Sequence, residues 1–155
     1  MRKLFFIFLI LLLSANNFAQ SRRVNPAAQN PANLATNAMN ELTLKQMFDE
    51  ANTFAKTKFA EFQTKKIPFS DALYKRTLLE RKQLAAKYAT VARARQNLAG
   101  EDFYYLGMLY WIIENTEVSA EFLRKFLAGD NPAIEKLQQA RPILIVEAAR
   151  RMVAK

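Results

Sequence analysis

Glu114, Glu117 and Glu121 carry the spacing in this chain that comes nearest to chemistry. At i, i+3 and i+7 they would sit on neighbouring turns of one helix, and close carboxylates can share general acid–base work. Asn115 and Thr116 are expected to break that helix, however, and exposed glutamates beside a turn are ordinary surface. The 155 residues include no Cys and no His. Without His the commonest general base and metal ligand is gone. Without Cys there is no thiolate chemistry and no disulfide, and zinc sites lose their usual donors. Carboxylates, Lys, Tyr and Ser remain, but they give no nucleophile, base and oxyanion donor that can be assembled into a site. The sequence therefore predicts no catalytic activity, no cofactor and no metal.

A second set of side chains suits binding. The run FYYLGMLYWIIEN from Phe103 to Asn115 is apolar nearly all round. At the angular step of an α-helix, Phe103, Leu106, Gly107 and Tyr110 share one face. Tyr104, Met108, Trp111 and Ile112 share another, roughly 130° away. A helix apolar on two faces is either sandwiched between neighbours or lines a groove. Tyr104, Met108 and Trp111 are the candidate peptide-groove residues, and burial in a core is the plain alternative. Gly107 costs about 1 kcal/mol relative to Ala in mid-helix, and its missing side chain lets a second helix approach closely.

Other segments must place these residues. Arg2 and Lys3 precede ten unbroken apolar residues, Leu4 to Leu13, and Ser14 to Ala19 then turn small and polar. That is the three-part pattern of an export signal. It is too short for a spanning anchor, which needs roughly 20 apolar residues. Cleavage is expected near Ala19, with Asn17 departing from the usual small residue three positions before the cut, and no Cys follows to carry lipid. The expectation is an exported protein, periplasmic or extracellular. Removing residues 1–19 leaves about 136 of the 155, enough for one domain with a real core. The 23 basic residues fall to 21 with Arg2 and Lys3 gone, against 14 acidic, a net of +7. Such an excess favours an anionic neighbour, and export argues against nucleic acid.

Residues 20–42 are rich in Asn and Ala, include Pro26 and Pro31, and lack a sustained apolar period, so they read as a flexible linker. Residues 43–155 read as helices. Thr43 and Gln46 have capping-box spacing. Behind them Leu44, Met47, Phe48, Ala51, Phe54, Ala55, Phe59 and Phe62 follow helical periodicity, an apolar stripe expected to be core. Pro68 ends that helix and Ser70 caps the next, predicted from Asp71 to about Leu98 with Gly100 as a left-handed stop. The short turn folds the two into an antiparallel hairpin. Asp102 is expected to cap the third helix, which ends near Asn115. A fourth should span Val118 to Ala128. After the break at residues 129–132, a fifth begins near Ala133, and Pro142 should kink or split it. Ile143 to Val146 is β-branched and apolar, but a lone strand has no partner, so helix is preferred. No Gly, Pro or polar tail closes this element, which looks like the end of a truncated array or a helix awaiting a partner.

Phe103, Leu106, Gly107 and Tyr110, with Ser119 and Leu123 behind them, resemble a tetratricopeptide repeat. Phe126 stands where Ala is usual, and Pro132 lies one residue late. The resemblance implies that the first helix of the pair, with Tyr104, Met108 and Trp111, lines a concave surface. The export signal, the Asn/Pro linker, AGEDFYYLGMLYW and ENTEVSAEFLRKFLAG are also similar to the helical N-terminal region of exported bacterial proteins that end in a thioredoxin-like, TlpA-type domain. Their Cys-x-x-Cys is absent here, so the resemblance implies helical architecture and compartment, not redox activity. The expected fold is all-α: a long antiparallel helical hairpin followed by tetratricopeptide-like, α-solenoid-like helix pairs. The leading expected function is a non-catalytic scaffold that binds a protein or peptide. The alternatives are the front fragment of a thiol–disulfide oxidoreductase, and a cationic protein with weak contacts to an anionic membrane or cell-wall polymer.

Overall fold

The computed structural model describes residues 39–129 and 132–154. The expected export signal and most of the expected linker lie outside them. Every regular element among the described residues is helical, so the all-α reading holds. Five helices follow residues 39–41, which are themselves helical: α1 (Leu44–Thr64), α2 (Asp71–Arg93), α3 (Glu101–Ile112), α4 (Thr116–Leu127) and α5 (Ile134–Val153). Met39 and Leu42, inside the segment expected to be linker, pack against the core.

α1 starts where the capping box puts it. The Thr43 Oγ1 accepts the Gln46 backbone N–H at 3.2 Å, and the Gln46 Oε1 accepts the Thr43 N–H at 2.8 Å. Ser70 caps α2 by accepting the Leu73 N–H at 3.2 Å. Contacts between the two helices run Phe59 to Tyr74, Asn52 to Arg81 and Glu50 to Tyr88. One number falls as the other rises, which defines an antiparallel hairpin. Its turn begins with Lys66 at φ +54°, and the Ile67 N–H reaches back to the Phe62 carbonyl at 2.9 Å. This is a helix stop of the Schellman kind without the usual glycine.

α2 ends at Arg93, about one turn earlier than expected, and Gly100 does not stop it. Gly100 has φ +51° and ψ −118° and sits at the N-cap of α3, a conformation a side chain would resist. Asp102 is within the first turn of α3 rather than at the cap position, although its Oδ2 reaches back to the Ala99 N–H at 3.4 Å. Asn115, expected only as a breaker, caps α4 by accepting the Val118 N–H at 3.2 Å. α5 continues through Pro142 from Ile134 to Val153, so the expected split does not occur and Ile143 to Val146 are helical.

α3 is the centre of the assembly and touches α1, α2, α4 and α5. That explains its apolar character on two faces: it is sandwiched. Tyr104, Leu106, Leu109 and Ile112 are all buried. Its tightest partner is α4. A Cβ on Gly107 would lie 2.9 Å from the Leu123 Cγ and 3.2 Å from the Ser119 carbonyl oxygen. The buried Ser119 hydroxyl donates to the Gly107 carbonyl at 2.8 Å. The small residues at 107 and 119 therefore permit backbone contact, and one hydrogen bond satisfies the polar atoms enclosed there.

The apolar stripe of α1 divides. Leu44, Met47, Phe48 and Ala51 are buried, whereas Phe54, Phe59 and Phe62 are only half-buried. The expectation that the whole stripe is core thus fails for its second half, because no third helix among the described residues covers it.

Candidate functional site

The three groove candidates have different fates. Tyr104 is 2% exposed and belongs to the core. Its hydroxyl donates to the Gln139 Oε1 on α5, its ring packs edge-on to Phe48 of α1, and Phe126 lies 5.3 Å away between centroids. The Lys136 ammonium lies 5.8 Å above it and is paired with Glu101. Burial, helped by neighbouring Tyr105, pushes the Tyr104 phenol above the ordinary tyrosine range. Tyr104 is therefore no groove residue: α1 and α5 close over that end of the face. Met108, one turn on, is half-buried against the core. Trp111, at the far end, is 38% exposed. From Tyr104 through Met108 to Trp111 the face thus runs from core to surface, while Ile112 beside Trp111 stays buried, a gradient that periodicity does not contain.

Trp111 opens onto a cleft of about 370 Å³. Leu78, Ile112 and Val146 give it apolar walls from α2, α3 and α5, and Arg81, Lys82, Glu114 and Thr116 form a polar rim. The α3–α4 turn shapes one side. α3 stops because Glu114 adopts φ +66°, and the Asn115 N–H bonds back to the Tyr110 carbonyl at 3.0 Å. That reversal places the Glu114 Oε1 2.6 Å from the Lys82 Nζ across the rim. Arg81 is also held: its Nε donates to the Ala51 carbonyl at 3.1 Å and its Nη2 to the Asn52 Oδ1 at 3.3 Å. Lys82 is thus ion-paired and Arg81 is fixed by neutral oxygens, and the cleft offers an apolar seat beside fixed polar groups, the usual make-up of a binding site. Leu78, Arg81, Lys82 and Val146 come from helices distant in sequence, and no local pattern marked them.

The three glutamates do not act together. Glu114 pairs with Lys82, Glu121 pairs with Lys125 at 2.7 Å, and Glu117 lies exposed in the first turn of α4. The Lys125 hydrogen bond holds the Glu121 carboxyl below its usual range, the state of an ordinary surface ion pair rather than a poised acid. Among the described residues no three acidic side chains gather as a metal site.

A second hollow, of about 300 Å³, lies at the turn of the α1–α2 hairpin among Phe59, Phe62, Ile67, Phe69, Leu73 and Tyr74. Phe59 stacks on Tyr74 with centroids 5.6 Å apart. The chain matches no family model, and comparison with curated proteins and with solved structures gives no match.

Proposed function

We propose that the chain is a non-catalytic helical binding module, acting after export, that holds a protein or peptide partner at the Trp111 cleft. The supporting observation is the exposure of Trp111 at the mouth of an apolar cleft, while Tyr104, Tyr105, Leu106, Leu109 and Ile112 of the same helix are buried. Tryptophan is the side chain most often found as an interface anchor, because it offers large apolar area at small entropic cost. Arg81 beside the cleft is held by two neutral oxygens, so its charge suits a ligand that presents an apolar side chain next to an acidic one. The close α3–α4 pair at Gly107 and Ser119 is in keeping with the likeness to a tetratricopeptide repeat, whose helix pairs serve as binding scaffolds. In this reading only the Trp111 end of the candidate groove meets the partner.

The test uses the only tryptophan of the chain. A displayed peptide library is selected on the full protein, and the recovered peptides are titrated while Trp111 emission is followed. The expected result is peptides with an apolar anchor and an acidic neighbour. They should shift the emission and lose at least about tenfold in affinity for Trp111→Ala, as an anchor worth 1.4 kcal/mol or more requires. Peptides that bind Trp111→Ala equally well overturn the reading. A second reading draws on Ile145, Met152 and Val153, exposed apolar residues of α5. These suit a surface covered by a further domain, as in TlpA-type proteins, and a downstream reading frame without a thioredoxin-like segment removes it.

A further inference from the structure

The distal half of the α1–α2 hairpin contributes nothing to the core. No residue between 52 and 76 is buried, and residues 63–72 are exposed without a break. The segment is nevertheless apolar where it projects. Phe69 is 71% exposed and Ile67 43%. Behind them Phe59 and Tyr74 stack and line the hollow of the turn. The same stretch, 56–76, carries six basic residues against the acids Glu61 and Asp71. Glu61 is itself taken up by Lys58 at 3.1 Å, and Arg76 by Glu80 at 2.9 Å. Lys65, Lys66 and Lys75 stand exposed around the apolar tip.

The geometry points to this tip as a lipid-binding site that seats Phe69 and Ile67 in the interfacial layer of a membrane containing anionic phospholipid. Charge complementarity selects the occupant. A cationic ring around exposed aromatics matches a surface with phosphate outside and hydrocarbon just beneath. Lys65 and Lys66 can lay their methylene stems along the apolar residues and keep their ammonium groups among the headgroups. Exposure allows it too: residues 63–72 are exposed without a break, so the whole tip is free to approach a surface. The contact is peripheral, since among the described residues no helix is long and apolar enough to cross a membrane. The tip shares no residue with the Trp111 cleft, so either site can fail without the other.

The test places a reporter at the tip of the full chain: Phe69→Trp in a Trp111→Phe background, with helix content checked by circular dichroism. The probes are vesicles of equal parts phosphatidylglycerol and phosphatidylcholine, and vesicles of phosphatidylcholine alone. On the anionic vesicles the tip indole should shift to the blue and resist acrylamide, and the response should weaken as salt rises. On neutral vesicles it should stay unshifted. Lys65→Gln with Lys66→Gln should lower partitioning about tenfold or more. An unshifted indole overturns the site, even if the chain sediments with the vesicles through another segment. So does an equal shift on neutral vesicles, or a shift that grows with protein concentration in the absence of lipid, which would make the tip a contact between copies of the chain.

Discussion

The two halves of the α1–α2 hairpin share one sequence pattern and differ in what they bury. From Leu44 to Ala51 the apolar residues of α1 are enclosed; from Phe54 to Phe62 the same periodicity continues and nothing is. α2 mirrors it, with its first buried residue at Thr77 and the rest between Ala85 and Ala92. The border falls at Ala51 and Thr77, and Arg81 ties it by donating to the Ala51 carbonyl. The third helix makes the difference: α3 packs on both members of the hairpin, and being only 12 residues long it covers the proximal half alone. An amphipathic stripe states which face would be buried if a partner were present. It does not state that one is.

The largest stability loss should therefore come from the proximal half. Met47 is fully enclosed, and Met47→Ala should cost about 2–5 kcal/mol through lost transfer energy and a residual cavity, read from chemical denaturation. A cost below 1 kcal/mol would mean that the proximal core is as loosely held as the distal hairpin. Gly107→Ala should come next: a clash of about 2–3 kcal/mol, less the roughly 1 kcal/mol of helix propensity that Ala gains, leaves a net loss of about 1–2 kcal/mol. The added methyl meets Leu123 at 2.9 Å and the Ser119 carbonyl at 3.2 Å; Leu123 can shift, but the backbone oxygen cannot easily yield. An unchanged melting temperature would show that α3 and α4 can separate freely.

Much of this was legible in the sequence, and the reasons are local. The Thr43–Gln46 box, the Ser70 cap and the Gly107 approach each depend on residues within a turn or on the absence of one side chain. Two turns fall where they are expected but lack the usual marker. Lys66 and Glu114 adopt left-handed φ where glycine is the expected signal, and the glycine that is present, Gly100, opens a helix instead of closing one. Pro142 sits inside α5 without ending it. The site was half legible. Trp111 could be named from its helix, but its separation from Tyr104 depends on where α1 and α5 lie, and Leu78, Arg81, Lys82 and Val146 come from elements more than twenty positions away. Glu147, buried with its Oε2 unpaired and only Arg151 on its Oε1, carries no sequence signal at all.

Tyr88→Phe should have a smaller effect, about 1 kcal/mol. The Tyr88 hydroxyl donates to the Glu50 Oε2 at 2.6 Å and joins α2 to α1 in the proximal half. Burial first, and then the Glu50 hydrogen bond and charge, push the phenol well above the ordinary tyrosine range. The sign follows from linkage. The unfolded chain ionises Tyr88 near pH 10 while the folded chain does not, so the contribution is whole below that pH and is lost as pH rises through the folded value. Alkaline denaturation should begin near pH 10 in the parent and start later in Tyr88→Phe. Coincident curves would place the phenol in open water.

The smallest effect belongs to the distal half. Phe59 occupies the same stripe as Met47 but is half-buried and meets little beyond Phe62 and the stacked Tyr74. Phe59→Ala should cost about 1 kcal/mol or less, the worth of an aromatic pair at a surface, against about 3–5 kcal/mol for the same truncation in a core. Amide exchange gives the sharper measure. If only the proximal half is anchored, amides from about residue 54 to 75 should open at lower free energy than those of residues 44–51 and 85–92, and Phe59→Ala should speed exchange in the distal set alone. Equal acceleration in both sets would mean that the hairpin opens as one unit. The border at Ala51 and Thr77 would then divide side-chain burial without dividing the cooperative structure.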